Sequence, residues 1–362
     1  MSGGPIDGGP VRGTLRLTTS EGDLARAAEL LRAGGLVAVP TETVYGLAVR
    51  ADDPDAVARL FAAKGRPADN PLIVHVADVA DVDRVAATVT PLARTLLDRF
   101  APGPLTVVLP ARDDLPRAVT GGLDTVAVRV PDDPVARTLL RLADVPLAAP
   151  SANRSSRPSP TSAAHVLDDL DGRIDAVVDA GPTRLGLEST VVDARGDVPH
   201  VLREGGLDAA TLAAAAGLAA DAATEDAATG TAALPPDGTT APPPRAPGTR
   251  HRHYAPHVPV HVAAAGDGPA RARELAVAGG PVGLVAVRPA GTSLPVGDDG
   301  AVVVLAVPVD VDALAADLFA LLRRAETAGV TALVVEAVPE VGVGRAVMDR
   351  LRRAAAASGG AR

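Results

Sequence analysis

Of the 35 lysines and arginines in this 362-residue chain, Lys64 alone is lysine. It stands in KGRPADNPLIVHV (64–76), with Arg66 across one glycine and Asn70 and His75 just beyond. Two cations at the end of a helical run suit the helix dipole, but arginine would serve there equally well. A polyphosphate partner explains the choice better, because a compact ammonium sits between phosphate oxygens while a guanidinium engages two at once. Each such pair carries about 4 kcal/mol of Coulomb energy at ~4 Å and an effective dielectric of ~20, before desolvation. His75 alternates with Leu72, Val74 and Val76, so a hydrogen-bonded sheet histidine competes with a binding role there.

The other scarce types fall in similar places. Asn occurs only at 70 and 153, and Tyr only at 45 and 254. They lie in the polar, Pro/Gly-punctuated stretches PTETVYG, KGRPADNP, PSANRSSRPSP and GTRHRHYAP, whereas Phe61, Phe100 and Phe319 sit inside helical patterns as core residues do. The Ala- and Arg-rich usage resembles codon bias in a GC-rich genome, and against that drift the survivors are candidates for positions where other types do not serve, with chance survival as the alternative. PTETVYGL (40–47) leaves a strand end, where α/β folds hold ligands; its threonines and carboxylate either orient a small polar substrate or satisfy a local turn. PSANRSSRPSPTSAAHV (150–166) sets Ser151, Asn153, Ser155, Ser156 and Ser159 ahead of a helix, which suits both an anion and a cap. LGLEST (185–190) and LREGG (202–206), with Arg203, carry little alone. His251, His253 and His257 cluster near Tyr254 without an acidic or thiol partner, so a loop or strand start is expected there in preference to a metal centre.

Alternating helices and strands must position these stretches. A capping box at Ser20–Asp23 opens a helix that Gly34 and Gly35 end; Asp53-Pro54 opens a second that runs to Lys64 and stops at Gly65. Further helices are expected over 91–100, 135–143 and 160–170. Strands are expected over 36–40, 72–76, 106–110, 125–130, 146–149, 176–180, 189–193 and 200–204, packed in one large sheet. Residues 208–247 turn Ala-rich and then Pro-rich, the composition of a flexible linker. From Val258 four strand-like runs alternate with helical ones, as in a small parallel α/β domain. GVGRAV (342–347) reads as a turn closing that domain, and no Walker loop is present. The expected division is a disordered tail at 1–12, a domain at 13–207, a linker at 208–257 and a smaller domain at 258–356.

Composition narrows the function classes. Net charge is −9, and no basic block is present, which disfavours stable nucleic-acid binding. The absence of cysteine removes disulfides, thiolate metal sites and thiol nucleophiles. The N-terminus lacks an apolar signal region, and no apolar run reaches the ~18 residues of a membrane span; a cytoplasmic location is expected.

Taken together and in this order, PTETVYGL, KGRPADNPLIVHV, PSAN, LESTVVD and LREG resemble the YrdC-like domain of the threonylcarbamoyl-AMP synthase family. PGTRHRHYAPHVPV followed by a small α/β domain resembles its long, two-domain form. The resemblance spans roughly residues 20–355 apart from the linker. It implies an α/β fold: a twisted mixed-sheet YrdC-like domain plus a smaller Rossmann-like parallel α/β domain. It implies condensation of L-threonine, bicarbonate and ATP into L-threonylcarbamoyladenylate with release of pyrophosphate, for a downstream threonylcarbamoyl-transferase complex that modifies tRNA. Mg²⁺ would arrive on the ATP phosphates, with no metal ligand from the protein. Lys64 and Arg66 would be the catalytic K-x-R pair on the phosphates. Asn70, Thr125, Ser151, Asn153, Ser159, Arg203 and Tyr254 match further ATP-binding positions, and Thr43, His75, Arg129, Ala149 and Ser189 match the threonine pocket. Residues 248–257 would form a lid. The competing readings are an RNA-binding or ribosome-associated module on the same fold, and a carbamoyl-transfer domain.

Overall fold

The computed structural model describes residues 13–67, 69–219, 224–225, 254–297 and 300–359. The expected N-terminal tail, most of the linker and residues 248–253 of the expected lid lie outside them. Within the described residues the chain runs β1 (Leu15–Leu17), α1 (Glu21–Arg32), β2 (Val37–Val39), β3 (Gly46–Arg50), α2 (Pro54–Lys64), β4 (Ile73–His75) and α3 (Pro91–Phe100). There follow β5 (Leu105–Pro110), α4 (Arg117–Thr120), β6 (Thr125–Arg129), α5 (Pro134–Ala143), β7 (Leu147–Ala148) and α6 (Ala163–Leu170). The first series closes with β8 (Ala176–Val178), β9 (Thr190–Asp193), β10 (His200–Arg203), α7 (Ala209–Ala215) and β11 (Thr224–Glu225). The second comprises β12 (Val260–Ala263), α8 (Gly268–Gly279), β13 (Val282–Val285), β14 (Val302–Ala306), α9 (Val311–Thr327), β15 (Ala332–Glu336) and α10 (Val343–Ser358).

The first series builds an 11-stranded mixed sheet in the order β1-β8-β2-β3-β7-β4-β6-β5-β9-β10-β11. Alternate residues face opposite ways, as the strand pleat requires. Val37, Val39, Ala48, Ala176 and Val178 pack under α1 and α5. Ala38, Leu47, Val49 and Val177 pack on the other side, against α2, α3 and α6. β3 was not expected from the sequence: the chain does not simply leave β2 into a ligand loop but returns antiparallel, pairing Val39 with Gly46. The short PTETVY connection is thereby held at both ends.

Local signals set the boundaries that matter for the site. In α2 the Asp53 carboxylate accepts from the backbone N–H of Asp55 and Ala56, and Gly65 ends the helix in the left-handed region at φ 60°, a conformation glycine takes without steric cost. Lys64 is thereby fixed in the last turn. The helix expected from residue 160 begins three residues later, at Ala163, because Ser162 takes the cap and accepts from the N–H of His165.

The linker also starts later than expected. Asp208 caps α7, its carboxylate accepting from Thr211 at 2.8 Å, and Ala209 and Leu212 join the core of the first sheet. An alanine-rich segment with a cap and apolar residues one turn apart is a helix when a core is there to receive it.

The second series forms a four-stranded, all-parallel sheet in the order β12-β15-β13-β14. Its larger core, between the sheet and the helices α9 and α10, also takes in Val44, Leu187 and Tyr254. The two units therefore share a continuous apolar seam, made by the loops that carry PTETVYGL, LGLEST and the segment after the linker.

Candidate active site

A cleft opens where these loops meet. One end of it begins with α2 and the loop after β7. Lys64 is buried, and its Nζ donates to the carbonyl of Ser151 at 2.5 Å and to that of Asn153. The Lys64 carbonyl in turn accepts from the N–H of Ser155 at 2.9 Å. Burial, and then the neighbouring Arg66, hold its ammonium well below the ordinary lysine value. Asn153 finishes the loop: its Oδ1 accepts from the Ser151 hydroxyl at 2.5 Å, and its Nδ2 donates to the carbonyls of Arg154 and Arg157 at 2.8 Å each. Lys64 thus shapes the S-x-N loop and does not itself line the cleft, which differs from the expectation of an ammonium facing phosphates.

Arg66 does line the cleft. Its Nη2 donates to the carbonyl of Pro71 at 3.0 Å, while its Nε is buried without a hydrogen-bond partner among the described residues. Burial, then the repulsion of Arg203, bring its pKa down to about 10. Arg203, at the end of β10, donates to the carbonyl of Ser189 at 2.8 Å and to its hydroxyl at 3.2 Å, and that hydroxyl lies 2.7 Å from Thr106 Oγ1. Ser151, Asn153, Ser159 and Ser189 also line the cleft. Asn70 and Thr125 are not among its lining residues: Asn70 is buried with its Oδ1 unpartnered among the described residues, and Thr125 opens β6 opposite Pro110.

The other end rests on two parallel strands. His75 of β4 and Arg129 of β6 are register partners, so both project into the same place. Burial, and then Arg129, push the His75 imidazole down to about 3, which leaves it neutral. Arg129 is held by the carboxylate of Glu42 at 2.7 Å, in a pair whose side chains are 5% and 1% exposed. Ala149 lies in the same wall. Of the two threonines in PTETVYG, Thr41 lines the cleft, and Thr43 sits buried behind it with the hydroxyls 2.8 Å apart.

Glu188, Arg157 and Tyr254 complete the wall. Burial would raise the pKa of Glu188, but Arg350, Arg203 and the Ser159 hydroxyl together bring it below the ordinary glutamate value, so it is a carboxylate. Arg157 donates to Asp169 at 3.0 Å and to Glu326 of α9 at 2.8 Å, and pairs with His257. His257 is therefore an interdomain contact; His251 and His253 lie outside the described residues. No group of metal-ligating side chains occurs among the described residues.

Sequence reasoning missed Glu42, Arg157 and Glu188 as named site residues. Each stood inside a stretch already singled out, and the carboxylates of PTETVYG and LGLEST, flanked by apolar strands, were the available signal. No local signal marked Arg350, whose partner is distant in sequence.

An open α/β sheet carries arginines and hydroxyls at one end of a loop-lined cleft and a neutral histidine beside an arginine at the other, an arrangement whose chemistry suits anionic groups. Residues 29–205 match the Sua5–YciO–YrdC family model, described as telomere recombination, and residues 210–356 match the model of the threonylcarbamoyl-AMP synthase C-terminal domain. The threonylcarbamoyl-AMP synthase of Bacillus subtilis is 40% identical over 348 residues, 94% of this chain and 95% of its own length. That of Pyrococcus abyssi is 41% identical over 350 residues, 94% of this chain and 96% of its own. The crystal structure of P. abyssi Sua5 complexed with L-threonine superposes with a TM-score of 0.82 at 40% identity, covering 95% of this chain and 98% of that one. The chain belongs to the threonylcarbamoyl-AMP synthase family, in its two-domain form.

Proposed function

We propose that this enzyme condenses L-threonine, bicarbonate and ATP into L-threonylcarbamoyladenylate, releasing pyrophosphate, and that the product serves tRNA modification by a downstream transferase. The observation that carries the reading is the meeting of Arg66 and Arg203 with His75 and Arg129 in one cleft. Support comes also from the shared names of the relatives and from the L-threonine bound in the P. abyssi structure.

The chemistry divides along the cleft. At the Arg129 end the guanidinium pairs the threonine carboxylate, Glu42 fixes its orientation, and the neutral His75 stands by to hydrogen-bond without repelling the ammonium. The deprotonated amine combines with bicarbonate, losing water, to give a carbamate. A carbamate oxygen then attacks the α-phosphorus of ATP, and the bond to the β-phosphate oxygen breaks as pyrophosphate leaves. Positioning and charge neutralisation suffice for such a transfer: Arg66 and Arg203 face the phosphates, the S-x-N loop braced by Lys64 supplies hydroxyl and amide groups, and Tyr254 covers the site from water. Glu188, which lines the cleft, and Glu42, which pairs with Arg129, are both engaged by arginines, so Mg²⁺ would be held by the triphosphate and would supply charge neutralisation there. Among the described residues no helix is long and apolar enough to cross a membrane; a cytoplasmic location belongs to this proposal.

Labelled bicarbonate tests the reading. Carbon-14 should enter an adenylate only when L-threonine and ATP are both present; label incorporated without threonine would refute it.

A further inference from the structure

Among the described residues Arg350 is the largest fully buried side chain, 0% exposed, and it belongs to α10 of the second unit. Its Nε donates to Glu188 Oε2 at 3.2 Å and its Nη1 to Asp349 at 2.8 Å, and its Cζ lies 5.7 Å from the centre of the Tyr254 ring. The second oxygen of Glu188 accepts from the Ser159 hydroxyl at 2.6 Å. One guanidinium therefore reaches, through single contacts, both a carboxylate and an aromatic ring that line the cleft.

Tyr254 needs such support. Its φ is 64°, a left-handed backbone that a bulky side chain adopts only when its surroundings impose it. The ring is 4% exposed and stacks on Phe319 of α9 with centroids 5.1 Å apart. The next N–H, of Ala255, donates to the carbonyl of Ser156 at 2.8 Å, and Ser156 is itself left-handed at φ 75°. An apolar residue at 350 would fill the seam without the desolvation cost of a buried charge. The charge is accounted for by what it orients: it attracts the electron-rich ring face and fixes the Glu188 carboxylate that holds Ser159.

We propose that Arg350 is a positioning residue through which the second unit holds Tyr254 and Glu188 in place on the wall of the cleft. The inference rests on the proposed function for the identity of the nucleotide, but its geometry is testable without turnover. The chain has two tyrosines and no tryptophan. Tyr45 lies in the first core with its hydroxyl donating to the carbonyl of Gly181 at 2.7 Å, so a full-length Tyr45→Phe chain reports Tyr254 fluorescence alone.

In that background acrylamide should quench poorly. Arg350→Met should move quenching toward that of free tyrosine, and Arg350→Lys, which keeps the charge, should restore much of the protection. In turnover, Arg350→Met should raise the KM for ATP about tenfold with kcat within about twofold, the pattern of lost binding and not of lost chemistry. Free quenching in the parent, or unchanged quenching in a folded Arg350→Met chain, overturns the proposal. Should Arg350→Met fail to fold by circular dichroism, Glu188→Gln decides: released quenching supports the clamp and unchanged quenching sinks it. A parent chain that makes no pyrophosphate refutes the functional reading and leaves the quenching comparison intact.

Discussion

At the scale of the residue, the lone lysine acquires a reason different from the one its sequence suggests. The Nζ of Lys64 bonds two carbonyls of one tight loop, those of Ser151 and Asn153, in a buried space where a planar guanidinium cannot place a single atom between both. Lys64→Arg should therefore displace the S-x-N loop and lower kcat/KM for ATP by about a hundredfold, the scale of an ångström-sized misplacement. Circular dichroism should stay native, and turnover near that of the parent would contradict the bracing role. The histidines give a pH signature. Burial and Arg129 hold His75 at about 3, and burial and Arg323 hold His165 at about 4, against 6.5 unfolded. Both folded values lie below the unfolded one, so the unfolded chain binds more protons between them. Stability from this source is complete above pH 6.5 and is lost as pH falls toward 4, by up to ~1.4 kcal/mol per pH unit for each group. Thermal midpoints from pH 7 to 4 should fall more steeply in the parent than in His165→Gln; parallel slopes would count against it. Rare residue types pointed toward this site with one instructive exception: Tyr45 is as scarce as Tyr254 yet is core, because its hydroxyl satisfies the Gly181 carbonyl and its ring fills the first sheet.

At the scale of the element, helix ends and glycines place the site. Gly186 of LGLEST has φ 72°, and a Cβ there would run into the carbonyl of Ala316 on α9, so the second unit rests backbone to backbone on the loop that carries Glu188. Gly186→Val should unseat α9 and open the Tyr254–Ala255 bond to chymotrypsin; a parent-like digestion pattern would show that the seam tolerates a side chain. Most helices and strands were legible because caps and periodicity are local: Asp53, Pro54 and Gly65 delimit α2 almost by themselves. The misses have physical causes. β3 has a short apolar run that only its pairing with β2 and β7 makes a strand, and α7 is a helix only because the first core receives Ala209 and Leu212. The ion pairs Arg129–Glu42 and Arg350–Glu188 join distant segments, and no local pattern encodes such a meeting.

At the scale of the molecule, the two units work as one device. Arg323 of α9 donates to Asp169 at 2.7 Å and to the carbonyl of Pro158 at 2.5 Å, beside Arg157–Glu326, so buried charges and a shared apolar core both cross the seam. Asp169 keeps Arg157 when Arg323 is removed, so Arg323→Met should lower stability measurably in denaturant unfolding but by less than the about 3–5 kcal/mol of a fully orphaned buried charge; a loss within error would mean the units dock by apolar contact alone. The overall charge of −9 repels nucleotides at long range, while Arg66 and Arg203 add positive charge within the cleft and Arg129 and Arg157 line it as members of ion pairs. The measurement that bears most directly on this account is pyrophosphate release by the purified full-length chain with each substrate omitted in turn. Release should require ATP, L-threonine and bicarbonate together; release that continues undiminished without threonine would contradict the account.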